Sequence, residues 1–178
     1  MQPTDAELLK LTRRGDEQAF DALISRYRLL LYRTAAAMVG NSADAEDVFQ
    51  ETAIAVYRGA AGFGWRSSVK TWLIRILIRQ ASRLLAKRGQ EKKRRLEAGG
   101  RSEEYYPNEA KAADIGADIA WALQGLSTEY RTVIVLRELN GLSYGEIAEM
   151  LNVPKGTVES RIYRARQELK VMLKDYIG

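Results

Sequence analysis

Neither cysteine nor histidine occurs in the 178 residues. Their absence excludes thiolate–imidazole and Ser-His-Asp catalysis, every disulfide, and nearly every zinc site. A chain without thiols fits a reducing cytoplasm. An oxygen-only magnesium or calcium site stays open. Proline is scarce as well, with only Pro3, Pro107 and Pro154, so long segments run without a backbone break. No stretch approaches the roughly 20 apolar residues a membrane helix needs. The most apolar region, around Trp72, is interrupted by Arg75 and Arg79. The opening residues MQPTDAELLK carry Asp5 and Glu7 and do not resemble a secretory leader. The expectation is a cytoplasmic chain with no membrane insertion.

What the sequence does contain is helix-forming residues at helical spacing. Apolar residues make up 46%, enough for a packed core. The expected fold is all-α: two small helical domains joined by a flexible linker, the second a helix-turn-helix. In the first domain, residues 1–90, helices are expected over about 4–14, 16–40, 42–58 and 68–88. Between the last two lies a loop with Gly59, Gly62 and Gly64 around Phe63 and Trp65. Residues 91–112 hold EKKRR, two glycines and the acidic SEEYYPNE, with few apolar anchors, and read as the linker. Residues 113–178 form the second domain.

The most specific signal is LSYGEIAEMLNVPKGTVESRIYRARQELK, residues 142–170. Ser143 and Glu146 have capping-box spacing, and the helix they open would bury Ile147, Ala148 and Leu151. Asn152 suits a left-handed turn, and Pro154 suits the start of the next helix. In that helix Val158, Ile162, Ala165, Leu169 and Met172 share one stripe, leaving Ser160, Tyr163, Arg164, Gln167 and Lys170 largely opposite. Such a face suits a DNA major groove. Arg164 could bridge guanine acceptors with Ser160 beside it, while Arg161, Arg166 and Lys170 hold phosphates. Glu159 on the flank could accept from a cytosine amine or repel phosphate. The plainer alternative is a helical hairpin with a solvated face; capping box, small Ala148, turn and basic second helix together favour DNA.

Charge is concentrated elsewhere. Residues 66–95 hold eleven Lys and Arg against Glu91 alone, so this stretch carries +10 and the remainder −5. Arg75, Arg79, Arg83 and Lys87 recur every fourth residue as a strip, with Arg66 and Lys70 before them. A strip of this kind matches a phosphate backbone, though it is also what a solvated helix face looks like. Phe63 and Trp65 suit stacking on unpaired bases. Trp72 has the spacing of a core residue.

The third helix is acidic, with Asp44, Glu46, Asp47 and Glu51 around Gln50. Three readings are open: carboxylates holding magnesium for nuclease chemistry, compensation of the helix dipole, and a protein-docking face. Docking is preferred, because no basic group that would orient a nucleophile accompanies the acids.

The run AFDALISRYRLLLYRTAAAMVGNSADAEDVFQETAIAVY, followed by KTWLIRI, resembles the first domain of extracytoplasmic-function (ECF) sigma factors. STEYRTVIVLRELNGLSYGEIAEMLNVPKGTVESRIYRARQEL resembles their second. The resemblance implies a non-enzymatic initiation factor without cofactor or metal. It would bind core RNA polymerase through the β and β′ subunits, recognise promoter DNA, and be held in check by an anti-sigma factor. The family's D-A-E-D-V-x-Q-E segment docks on the β′ clamp helices, which implies that role for Asp44, Glu46, Asp47, Gln50 and Glu51. The loop and helix that read and melt the −10 element correspond to Phe63, Trp65, Arg66, Lys70, Trp72, Arg75, Arg79 and Arg83. The −35 reader corresponds to Thr157, Glu159, Ser160, Arg161, Tyr163 and Arg164, with Lys170 beyond. Arg79 stands where the family often has Asn, and Arg83 where an acid is common, so this helix is more basic than usual. The linker would thread the polymerase near the RNA exit path, with Glu103, Glu104, Tyr105 and Tyr106 mimicking nucleic-acid charge. The alternative function is a stand-alone helix-turn-helix regulator that binds duplex DNA without polymerase.

Overall fold

The computed structural model describes residues 2–98 and 115–174, apart from the side chains of residues 115 and 117. The described residues contain helices and no strand. In order these are α1 (Asp5–Thr12), α2 (Glu17–Val39), α3 (Ser42–Gly59), a short 3-10 turn (Ala60–Gly62) and α4 (Val69–Glu97). Then come α5 (Ile115–Gly125), α6 (Thr128–Ile134) running into a π turn (Val135–Leu139), α7 (Tyr144–Leu151) and α8 (Lys155–Met172).

The starts and stops have local causes. Thr4 and Glu7 form a capping box on α1, and Asp16, Asn41 and Ser68 each accept a backbone amide at the start of α2, α3 and α4. Gly40 ends α2 at φ 84°, a left-handed residue where glycine costs least. It is needed twice over, because a Cβ there would lie 2.5 Å from the Gln124 side chain. Asp5 ties α1 to α2, accepting from Arg26 Nη1 at 2.5 Å and from the Tyr27 hydroxyl. Burial, with help from Asp5, pushes that hydroxyl up to about 12.

Helix α4 runs further than its sequence suggests. The segment 91–97, expected in the linker, continues the helix with every residue exposed. The extension rests on good helix formers and on the i,i+4 pairs Lys87–Glu91 and Lys93–Glu97. Residues 99–112 of the expected linker, including Glu103, Glu104, Tyr105 and Tyr106, lie outside the described residues.

Helices α1 to α4 pack as one bundle around Leu23, Leu31, Met38, Val56, Leu73, Ile74 and Leu77, all fully buried. Helices α6, α7 and α8 form the second unit around Val133, Leu136, Ile147 and Ile162. The units are not separate beads: α2 packs on α5, α6 and the π turn, and one apolar cluster spans both.

The seam between them is polar at its edge. Near the end of α2, the Ala37 carbonyl accepts from Gln124 Nε2 (3.0 Å) and that of Met38 from Arg131 Nη1 (2.6 Å). The last turn of α2 has no basic residue of its own, so the second domain supplies the cation its negative end favours.

Candidate nucleic-acid interface and docking face

On α3, Asp47, Gln50 and Glu51 lie exposed at helical spacing, and Ile54, Tyr57 and Arg58 extend the same side. Glu46 is half-buried and accepts from Gln50 Nε2 at 3.2 Å. Ile54 (44% exposed) and Tyr57 give this acidic face an apolar end that the charge pattern alone did not reveal. Asp44 departs from expectation. It is 5% exposed, and its carboxylate receives Asn41 Nδ2 (2.6 Å) and the Arg88 guanidinium. The cause is the cap: Asn41 Oδ1 takes the Asp44 amide at 2.9 Å, turning that first turn inward onto α4. Asp44 therefore joins α3 to α4 instead of sharing the face of Asp47. That also removes it from any magnesium site with Asp47 and Glu51. Among the described residues no group of three or more acids is placed to hold a metal ion.

The basic strip forms along α4. Arg66, Arg79 and Arg83 are exposed, while Lys70 and Arg75 are half-covered by the second domain. Lys70 Nζ donates to the Asn140 carbonyl at 3.0 Å, and Arg75 Nη2 lies 3.4 Å from Glu149 Oε1. The aromatic loop divides into support and tip. Phe63 is buried, its ring 4.9 Å from both Trp65 and Trp72, so it props the loop from beneath where an exposed contact was expected. Trp72 is half-buried beside it. Trp65 is 42% exposed, sits at φ 57°, and lies under the Lys10 ammonium at 5.6 Å. A left-handed tryptophan is uncommon and needs its surroundings to hold it. Sequence reasoning did not bring Lys10 of α1 to this place.

In the second domain Ser143 and Glu146 form the expected capping box, which holds the Glu146 carboxyl below its ordinary value through the Ser143 amide and hydroxyl. Asn152 turns at φ 54°. On α8, Val158, Ile162 and Ala165 are buried, and Glu159, Ser160, Tyr163, Arg164 and Lys170 are exposed. Thr157 and Arg161 are half-buried. The exposed face is pre-set by neighbours. Arg161 pairs with Glu129 at 2.7 Å, Arg164 Nη1 reaches the Tyr130 hydroxyl at 3.5 Å, and Lys155 lies 3.8 Å from Glu159. Glu129 and Tyr130 on α6 are part of this surface and have no signature in the recognition-helix pattern.

Comparison with known proteins agrees with this layout. The family model described as Sigma-70 region 2 matches residues 23–91, and that described as Sigma-70, region 4 matches residues 118–169. The chain is 34% identical to the RNA polymerase sigma-H factor of Pseudomonas aeruginosa, over 97% of this chain and 95% of that one. It is 33% identical to the ECF RNA polymerase sigma-E factor of Haemophilus influenzae, over 95% of each. Among solved structures, CnrH in complex with the cytosolic domain of CnrY is similar at TM-score 0.71 and 29% identity, covering 96% of this chain and 97% of that one. The sigma factor RpoE with the anti-sigma factor NepR from Bartonella quintana is similar at TM-score 0.68 and 29% identity, covering 84% and 95%. With both regions matched in order, and relatives above 30% identity along nearly its whole length, the chain belongs to the ECF sigma factors of the sigma-70 family.

Proposed function

We propose that this sigma factor binds core RNA polymerase through the exposed side of α3 and places it at promoters by two DNA contacts, one on each domain. The observation that carries the reading is the division of surfaces. An acidic face lies on α3, a basic strip with an exposed tryptophan on α4 and its loop, and a polar, basic recognition face on α8. A stand-alone regulator needs only the last of these.

Asp47, Gln50 and Glu51 dock on the β′ clamp helices, with Glu46 behind them and Asp44 holding the face in place. Arg66, Lys70, Arg75, Arg79 and Arg83 hold the phosphates of the melted −10 strand, and Trp65, propped by Phe63 and Trp72, stacks on an unpaired base. Glu159, Ser160, Tyr163 and Arg164 meet base edges in the −35 duplex, with Thr157, Arg161 and Lys170 on the backbone. The protein does no covalent chemistry; its affinity for unpaired bases shifts duplex toward the open form. A protein with these partners works in the cytoplasm. An anti-sigma factor is the expected regulator, by similarity to the solved complex of RpoE with the anti-sigma factor NepR. An apolar groove of about 900 Å³, lined by Tyr32, Ala36, Ile119, Leu123, Leu139 and Leu169, offers such a partner a place for an amphipathic helix.

The direct test adds purified protein to sigma-free core polymerase on genomic promoter fragments and maps RNA 5′ ends. Discrete starts that require the protein, with two shared upstream motifs, are expected. No new starts and no complex would defeat the reading, and a footprint by the protein alone would then favour the stand-alone regulator.

On the −35 site so defined, Arg164→Ala is expected to reduce affinity about 5- to 150-fold relative to a mutated site. Equal weakening on every duplex would make Arg164 a phosphate contact only.

A further inference from the structure

Among the described residues, two other than glycine have a positive φ, Trp65 and Asn152. Asn152 closes α7, and asparagine tolerates the left-handed region. Tryptophan has no such tolerance, so its conformation has to be imposed by its neighbours, and an outlier of that kind points to a use. Two contacts hold the indole. The Phe63 ring meets it edge-to-face at 4.9 Å, and the Lys10 ammonium lies 5.6 Å from its centroid, inside the range of a cation–π attraction. Phe63 belongs to the same loop, but Lys10 comes from α1, which contributes nothing to the basic strip on α4.

The rest of α1 leaves that ammonium available. Its inner side buries Leu8, Leu9 and Thr12, which seats the helix on the bundle. Its acids are already engaged. The Asp5 carboxylate accepts from Arg26 and from the Tyr27 hydroxyl, and Glu7 Oε2 accepts from the Thr4 amide (2.7 Å) and hydroxyl (2.8 Å). Glu7, one turn before Lys10, feels its charge. Lys10, Arg13 and Arg14 are exposed and form no ion pair among the described residues. Lys10 and Arg14, a turn apart, line a hollow of about 540 Å³ together with Leu11. Arg66, the residue after Trp65, is exposed as well. A half-exposed indole with unpaired cations beside it combines the two things single-stranded DNA needs, a stacking face and charge for its backbone.

We propose that α1 is part of the −10 site: Lys10 braces Trp65 in its left-handed conformation and, when an unpaired base stacks on the indole, neutralises a phosphate of that strand. This rests on the reading of the loop and α4 as the −10 surface and adds a second element to it. In the free protein the ammonium rests on the ring. As the base arrives, its flexible stem lets it exchange a weak, solvent-exposed cation–π contact for a charge-assisted hydrogen bond to a phosphate oxygen.

The test uses holoenzyme reconstituted from the full chain and core polymerase. The DNA is a promoter fragment found by mapping RNA 5′ ends and left unpaired across the −10 region, and affinity is measured at several salt concentrations. Lys10→Gln is expected to weaken binding about three- to ten-fold, the scale of one net hydrogen bond. It is also expected to lower the slope of log affinity against log salt by about 0.7, one phosphate of a single strand. Lys10→Arg, which keeps the cation, is expected to restore both. In a Trp65→Ala background Lys10→Gln is expected to cost less than about two-fold, since the strand is no longer held over the ring. The melting temperature of Lys10→Gln should stay within about 3 °C of the unchanged protein, as for other exposed positions. Unchanged affinity or an unchanged salt slope would overturn the proposal. So would an arginine variant as weak as the glutamine one, or a full loss with Trp65 already absent, which would place the contact elsewhere. Protein-dependent starts that are indifferent to Lys10 would defeat this inference alone, and absence of any such start would defeat the sigma reading and this inference with it.

Discussion

Asp47→Arg is expected to weaken binding to core polymerase by about 30-fold or more, the size of a hot-spot loss of about 2 kcal/mol, while leaving −35 duplex affinity unchanged. Asp47 is exposed on α3 and its carboxylate makes no hydrogen bond or ion pair with any described residue, so reversing its charge breaks no side-chain contact of the fold. Gln50, Glu51 and Ile54 follow it on the same exposed side of the helix. Charge reversal there repels a basic partner surface, and also removes whatever attraction speeds encounter. Titration of labelled protein against core polymerase measures the first quantity, and duplex binding by the same preparation measures the second. Parallel loss of both would mean that the substitution unfolds the chain, and unaltered polymerase binding would move the docking face off α3.

The part of this molecule legible in its sequence is the part governed by local rules. Asp16, Asn41, Ser68 and Ser143 start helices where a side-chain oxygen can meet a free amide, and Gly40 and Asn152 end them where the backbone turns left-handed. The stripe of Val158, Ile162 and Ala165 faces inward because helical spacing puts it there. What sequence could not show depends on who stands opposite. Asp44 reads as one more acid in an acidic run, and only the passage of Arg88 on α4 makes it a buried structural group. Phe63 and Trp65 look equivalent in the loop, yet Trp72 behind one and solvent beside the other separate a prop from a tip. The family resemblance was silent on the contact of the two domains with each other. Thr34 and Asn140 are ordinary polar residues until the two domains meet and the Thr34 hydroxyl donates to Asn140 Oδ1 at 3.1 Å.

Arg131→Ala is expected to destabilise the protein by about 3–4 kcal/mol and to lower its melting temperature by about 10 °C. Arg131 is 7% exposed and all five hydrogen bonds of its guanidinium go to oxygen atoms of neighbouring segments. Nε donates to the Leu123 carbonyl at 2.8 Å, and Nη2 to those of Gln124 (2.9 Å) and Leu126 (3.1 Å). Nη1 reaches the Met38 carbonyl at 2.6 Å and Gln124 Oε1 at 2.5 Å. No carboxylate pairs with it among the described residues. Its charge is balanced by the carbonyl ends of two helices, α2 and α5, neither of which has a basic residue in its own last turn. Burial pulls the guanidinium below its ordinary pKa, which marks the cost of desolvation that those oxygens offset. Truncation takes these donors away in a site closed to water, leaving the Leu123 carbonyl only the Leu126 amide at 3.3 Å, in addition to the lost packing of a long side chain. Arg131→Lys is not expected to restore the melting temperature, since one ammonium has neither the span nor the donors of the planar fork. Thermal melts followed by circular dichroism decide the matter: a drop within about 3 °C for the alanine variant would show that the carbonyls find other donors. Because the Met38 bond is the one member of this set that crosses between domains, the lysine variant also weakens the seam between α2 and the second domain.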